Sequence, residues 1–176
     1  AGAPGYNLPQ IALQHAWDIQ SFEQTGNDVR RAFSRDAMRI LAEGVRTQCD
    51  ALDGATDGIV GALAACQQTF DIGRLACTAE SSGECLDPRQ VAALERSFAG
   101  PTDKNGRRLY SSWLFDTGVG SNDWRTWKLE SPITGFDGLP LIATLGASSL
   151  AQIFTTPPTA VAGTPEALLT YLRTFD

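Results

Sequence analysis

Histidine is almost missing from this 176-residue chain: His15 stands alone. That scarcity removes most arrangements in which imidazole serves as a general base or as one of several zinc ligands. A serine hydrolase needs a nucleophile, a base and an orienting acid, and no nucleophile motif lies near His15. Gly-x-Ser-x-Gly is absent; Gly146-Ala147-Ser148-Ser149-Leu150 fails at its last position and sits inside a helical pattern. Neither a Walker motif nor Gly-x-Gly-x-x-Gly occurs. His15 falls in an amphipathic segment and reads as a structural or surface histidine. On these grounds the chain is not a complete enzyme.

Positive charge is also short. Fourteen Lys and Arg against 20 Asp and Glu leave a net charge of −6, so the basic face that nucleic-acid binding requires is missing. The pairs Arg30-Arg31 and Arg107-Arg108 are too small to make one and read as solvated. No apolar run approaches the ~20 residues of a membrane-spanning helix. Internal repeats and low-complexity tracts are absent, and no C-x₂₋₄-C pair offers a structural zinc site. Hydrophobic residues make up 43%, which suits one domain with its own core. The start, Ala1-Gly2-Ala3-Pro4-Gly5, has no basic n-region or apolar h-region of a signal peptide. Both ends read as cut from something larger, with a mature secreted N-terminus as the alternative.

What the chain does have is a dense acidic stretch. Asp50, Asp53 and Asp57 alternate with Gly54 and Gly58 within ten residues. Carboxylates this close repel one another unless a hard cation neutralises them, and Ca²⁺ takes six to eight oxygen ligands from carboxylates and carbonyls. The spacing is not that of an EF-hand, since Ala55 and Ala64 stand where positions 3 and 12 need oxygens. A calcium site here would use the carboxylates of Asp50, Asp53 and Asp57 with carbonyls such as those of Ala55 and Ile59. An Asp/Gly-rich surface turn is the competing reading.

Four cysteines, Cys49, Cys66, Cys77 and Cys85, favour two disulfides with three connectivities open, and hence an oxidising compartment, secreted or periplasmic. Pairing in sequence order would close loops of 17 and 8 residue steps, each stabilising by about 2–3 kcal/mol in the chain-entropy model. Four reduced, buried thiols are the alternative.

Periodicity predicts a helix over 9–24 and a second from an Asn27 cap to about Gln48, with Val29, Phe33, Met38, Leu41 and Val45 on its apolar stripe. Residues 61–86 read as an irregular, cysteine-stapled stretch. Asp87-Pro88-Arg89-Gln90 is a strong helix start, with a capping aspartate, proline at the first helical position and Gln90 completing a capping box; Gly100-Pro101 ends that helix. Asp103-Lys104-Asn105-Gly106 reads as a hairpin-type turn leading into a short strand at 108–110. Residues 111–138 read mainly as loop, 140–154 as an apolar helix, and Thr164-Pro165-Glu166 as the cap of a last helix to about Arg173.

The run from Cys49 to Ile59 resembles the calcium loop of the tannase and feruloyl esterase family. The resemblance extends along nearly the whole chain: Ala1 to Asn7, Leu86-Asp87-Pro88-Arg89-Gln90-Val91, Trp124-Arg125-x-Trp127-Lys128, and Phe154-Thr155-Thr156-Pro157-Pro158 follow in the family's order. The resemblance implies an α+β, helix-rich insertion domain, the lid of an α/β-hydrolase, with long loops, a small β element, two disulfides and a calcium loop. It implies Ca²⁺ held by Asp50, Asp53, Ala55, Asp57 and Ile59, and the pairs Cys49–Cys66 and Cys77–Cys85. The family's serine would precede Ala1, and its aspartate and histidine would follow Asp176, so no catalytic residue is carried over. The implied partners are the catalytic α/β-hydrolase domain and an aromatic ester. Trp113, Trp124, Trp127 and Phe136 are candidate walls for the aromatic acyl group, and Arg125 a candidate partner for a carboxylate or phenol. Apolar surface left uncovered predicts a homodimer of the isolated lid. A free-standing extracellular module that binds carbohydrate or aromatic ligands is the alternative reading.

Overall fold

The computed structural model describes residues 8–81, 83–152 and 155–172. Among the described residues, seven α-helices make the architecture: α1 (Leu8–Glu23), α2 (Arg35–Cys49), α3 (Leu63–Thr69), α4 (Pro88–Ala99), α5 (Asn122–Lys128), α6 (Leu141–Gln152) and α7 (Pro165–Leu172). Helix α1 is the spine and packs against α4, α6 and α7, while α2 lies against α3 and the 3₁₀ turn at Thr117–Gly120. Ile19 and Phe22 of α1 meet Leu41 of α2, Leu94 of α4 and Ile142 of α6 in one core. Phe22 stands edge-on to Phe33, with ring centroids 5.2 Å apart at 87°. That geometry adds about 1 kcal/mol to the area each ring buries.

Capping explains where the helices begin. Ser34, extended at ψ 167°, accepts a hydrogen bond from the Ala37 amide and starts α2. The Asp87 carboxylate accepts from the Arg89 amide, and the Asp87 amide donates to Gln90 Oε1. Gln90 also donates from Nε2 to the Ala32 carbonyl, which ties α4 to the entrance of α2. On the other side of α4, the Trp17 indole N–H donates to the Arg96 carbonyl, and the Arg96 guanidinium lies 3.8 Å over the Trp17 ring.

The structure departs from the sequence reading at four places. Helix α2 begins at Ser34 rather than Asn27, because Asp28 accepts from the Arg30 amide and closes a separate 3₁₀ turn, Val29–Arg31. The Arg30 guanidinium beside Asp28 holds that carboxyl down at about 2. The stretch 61–86 is not irregular throughout: it contains α3 and a 3₁₀ turn at Ile72–Leu75, capped by Asp71. Seven residues are too few to show a period. The strand at 108–110 does not form; among the described residues, pairing is limited to the isolated bridges Ala76–Leu86 and Thr102–Arg108, so the small β element shrinks to these. The stretch 111–138 is not mainly loop, since Ser121 accepts from the Trp124 amide and launches α5. The Asp103–Gly106 turn does form, with Gly106 at φ 78° donating to the Asp103 carbonyl. Ala1 to Asn7, Phe154 and Arg173, used in the sequence reading, lie outside the described residues.

Candidate functional site

Both disulfides are present, Cys49–Cys66 and Cys77–Cys85, and no cysteine is left over. The first joins the last residue of α2 to α3, so the acidic stretch is the contents of a closed covalent ring. Within it, Asp50 is buried and the other two aspartates are exposed. Asp50 Oδ1 accepts from the amides of Gly58 (3.0 Å) and Asp57 (3.3 Å). Asp53 accepts from Ala55 through Oδ1 and from Gly61 through Oδ2, both at 2.9 Å. Asp57 Oδ1 accepts from Ile59. The chain can wind this tightly because Gly54 and Gly58 take φ of 94° and 84°, values that cost other residues steric strain. Gly61 is needed for a different reason: a Cβ there would come within 2.5 Å of Asp53 Oδ2.

The donor chemistry of this loop suits a hard cation, since its side-chain donors are three carboxylates and the Thr56 hydroxyl, all oxygen, and the amides bonded to Asp50 and Asp57 fall on Oδ1 of each. Its present geometry is that of a self-bonded turn. No group of three or more His, Cys, Asp or Glu side chains converges as a metal cluster among the described residues.

The aromatic candidates separate in space. Trp113 and Trp124 line one cavity of about 220 Å³ together with Phe98 and Val119. Trp127 points elsewhere from α5 and is exposed, and Phe136 is half-buried in the turn after it. Arg125 donates from Nη1 to the Phe33 carbonyl and from Nη2 to the Arg30 carbonyl and to Glu130 Oε2. Its guanidinium therefore ties α5 to the segment before α2, and it lines two shallow grooves on that face beside Glu130.

At the floor of the aromatic cavity is a polar cluster absent from the sequence reading. Asp18 is fully buried; its Oδ1 accepts from Gln14 Nε2 and Ser97 Oγ, both at 2.6 Å, and its Oδ2 from Lys128 Nζ. Gln14 Nε2 donates also to the Ser97 carbonyl, and Gln14 Oε1 is buried with no partner. The signal was present in α1: Gln14 and Asp18, four residues apart, stand on the stripe that should be apolar. Their partners, 79 and 110 positions away, carry no local mark.

His15 sits beside this cluster. Burial and the Lys128 ammonium, only partly opposed by Asp18, lower its pKa to about 4. The unfolded chain therefore takes up the proton first as pH falls below about 6.5, and stability should drop between there and pH 4. Allowing for partial solvent access, about 2 kcal/mol is expected to go. His15→Gln should flatten this part of the pH profile of urea unfolding; a variant with an unchanged profile would place the proton uptake elsewhere.

A sequence profile described as tannase and feruloyl esterase matches residues 1–138. The chain belongs to the tannase and feruloyl esterase family. Among its relatives is the mono(2-hydroxyethyl) terephthalate hydrolase of Piscinibacter sakaiensis, 34% identical over 182 aligned residues that take in 90% of this chain and 30% of that protein. Feruloyl esterase C of Talaromyces stipitatus is 30% identical over 112 residues, 62% of this chain and 20% of that protein. A probable feruloyl esterase B-1 of Aspergillus fumigatus is 28% identical over 138 residues, covering 70% of this chain and 26% of its own length. The chain thus spans less than a third of each of these family members. Among the described residues, no helix is long and apolar enough to cross a membrane.

Proposed function

We propose that this chain is the calcium-binding lid of a secreted serine carboxylic-ester hydrolase, one that sits over an α/β-hydrolase catalytic domain and shapes the pocket for an aromatic acyl group. The observation that carries this reading is the lopsided coverage: a match along 90% of the chain occupies 30% of an ester hydrolase. A helical, disulfide-stapled body with one half-buried histidine is the kind of unit that can be inserted into a catalytic domain without bringing catalytic residues of its own. Trp113 and Trp127, 39% and 44% exposed, present the most indole surface to an adjoining domain or a substrate ring. Trp124, Phe136 and Arg125 complete the candidate set around them. Ile59, Leu114 and Ile133 are exposed apolar residues that a catalytic domain, or a second copy of the isolated lid, would cover.

The purified chain should leave a feruloyl or other aryl ester unhydrolysed, and the gene on either side should encode the serine before it and the aspartate and histidine after it. Turnover by the chain alone, abolished by a point substitution within it, would sink the reading.

Calcium enters as a structural ion that would fix the loop after α2, with Asp50, Asp53 and Asp57 turning their carboxylates inward beside the carbonyls of Ala55 and Ile59. Free Ca²⁺ one hundredfold above Kd should stabilise the fold by about 2.7 kcal/mol, read as a fall in melting temperature on adding EDTA. Asp53→Ala should abolish that EDTA-sensitive increment. Asp71→Ala, which removes a 3₁₀ cap outside the loop, should lower the melting temperature yet keep the increment. A melting temperature indifferent to EDTA would mean that the loop binds no calcium.

A further inference from the structure

The two disulfides sit in opposite surroundings. Cys49 and Cys66 are both 0% exposed and belong to the core that α2 shares with α3. Cys77 is exposed and Cys85 half-buried. The ring that Cys77 and Cys85 close is a surface turn, exposed at every described residue from Thr78 to Glu84. Its bonds are local: the Ser81 amide donates to the Thr78 carbonyl, and the Thr78 amide to Ser81 Oγ. Glu84 reaches Arg39 of α2 at 3.0 Å, an exposed ion pair of the kind that adds little.

The stem of this turn is held without its sulfurs. The Cys77 amide donates to the Leu86 carbonyl and the Leu86 amide to the Leu75 carbonyl, both at 2.8 Å, and Leu86 is fully buried. Helix α4 then starts on its own capping box at Asp87. Breaking the S–S bond would free the turn and leave both of its ends in place.

We propose that Cys77–Cys85 is a thiol-exchange site, opened by a small monothiol such as glutathione in the folded protein while Cys49–Cys66 stays closed. Exchange proceeds by attack of a thiolate on a disulfide sulfur, so access decides which bond reacts. The incoming sulfur bonds to Cys77 Sγ, the more exposed of the two. The Cys77–Cys85 bond breaks, and its electron pair leaves on Cys85 Sγ, which takes a proton from water. The product is a mixed disulfide on Cys77. A second thiolate attacks the sulfur of the first, departs with it as a symmetrical disulfide, and leaves Cys77 to take up a proton. The two thiols are thereby oxidised by two electrons and the protein disulfide is reduced by two. Because the stem keeps both cysteines close, Cys85 can also run the first step backward and reseal the ring. The turn is therefore a redox-sensitive segment, closed in an oxidising medium and open to S-thiolation wherever free thiol is present.

The test is a time course of the folded 176-residue chain with glutathione, quenched with iodoacetamide and read by intact mass and peptide mapping. Cys77 and Cys85 should react at least about a hundred-fold faster than Cys49 and Cys66, since a buried bond is reached only through opening of the fold. The first product should carry glutathione on Cys77 and the alkyl label on Cys85, and hydrogen exchange at the Leu86 amide should stay slow in it. In concentrated urea, where both bonds are exposed, the gap in rate should close. Equal rates in the folded chain, labelling of all four cysteines together in the same molecules, or a gap that survives in urea would each overturn the proposal. None of these outcomes depends on whether the chain caps an esterase.

Discussion

Dithiothreitol should cost this chain about 5.5 kcal/mol of stability. In the chain-entropy account, closing the 17-step ring between Cys49 and Cys66 restricts the unfolded ensemble by about 3 kcal/mol, and the 8-step ring between Cys77 and Cys85 by about 2.5 kcal/mol. Small domains hold 5–15 kcal/mol in all, so reduction should bring a large fall in melting temperature and can unfold the chain outright. The two contributions are separable. Cys77→Ser with Cys85→Ser should lose a little under half of the effect. Cys49→Ser with Cys66→Ser should lose the rest and also weaken the response to EDTA, because the acidic loop would hang from α2 alone. Finding four titratable thiols in protein prepared without reductant would remove the basis of this expectation.

The second large effect centres on Asp18. Lys128→Met should destabilise the fold by about 3 kcal/mol, the lower end of what breaking a buried ion pair costs, because the Lys128 end is partly exposed. The loss comes less from the missing attraction than from a carboxylate left in the core with only Gln14 and Ser97 to hydrogen-bond it. In an Asp18→Asn background the same Lys128→Met change should cost about 1 kcal/mol or less, since no buried charge is stranded. Urea unfolding of the four proteins of this cycle measures the coupling. Additive losses would show that Lys128 supports the fold through its methylenes and not through Asp18.

What could be read from the sequence followed how local each feature is. The Asp87-Pro88-Arg89-Gln90 cap lies within four residues, and the structure reproduces it bond for bond. The acidic loop was visible because its carboxylates and glycines are close neighbours, and the turn at Asp103–Gly106 for the same reason. The start of α2 was misread because Val29 and Phe33 are both buried and continue the apolar stripe backward, although Asp28 and Ser34 each cap a separate element. Helices α3 and α5 have seven residues each, too short for a period to stand out. Of the Asp18 cluster only the Gln14–Asp18 pair on the apolar stripe of α1 leaves a local mark. Lys128 looks like any surface lysine until the fold brings its ammonium onto Asp18. The same docking sets Trp113 beside Trp124 and places Trp127 outside their cavity, a division that spacing along the chain cannot supply.

The ring that encloses the acidic loop has one more consequence. The loop is exposed along most of its length, which makes it a natural place for a protease to cut. A single cut there, between Cys49 and Cys66, would not separate the two halves: the chain would still migrate as one molecule until reduced. Proteolytic wear at this site would therefore accumulate as silent nicks, visible on a reducing gel long before any fragment is lost.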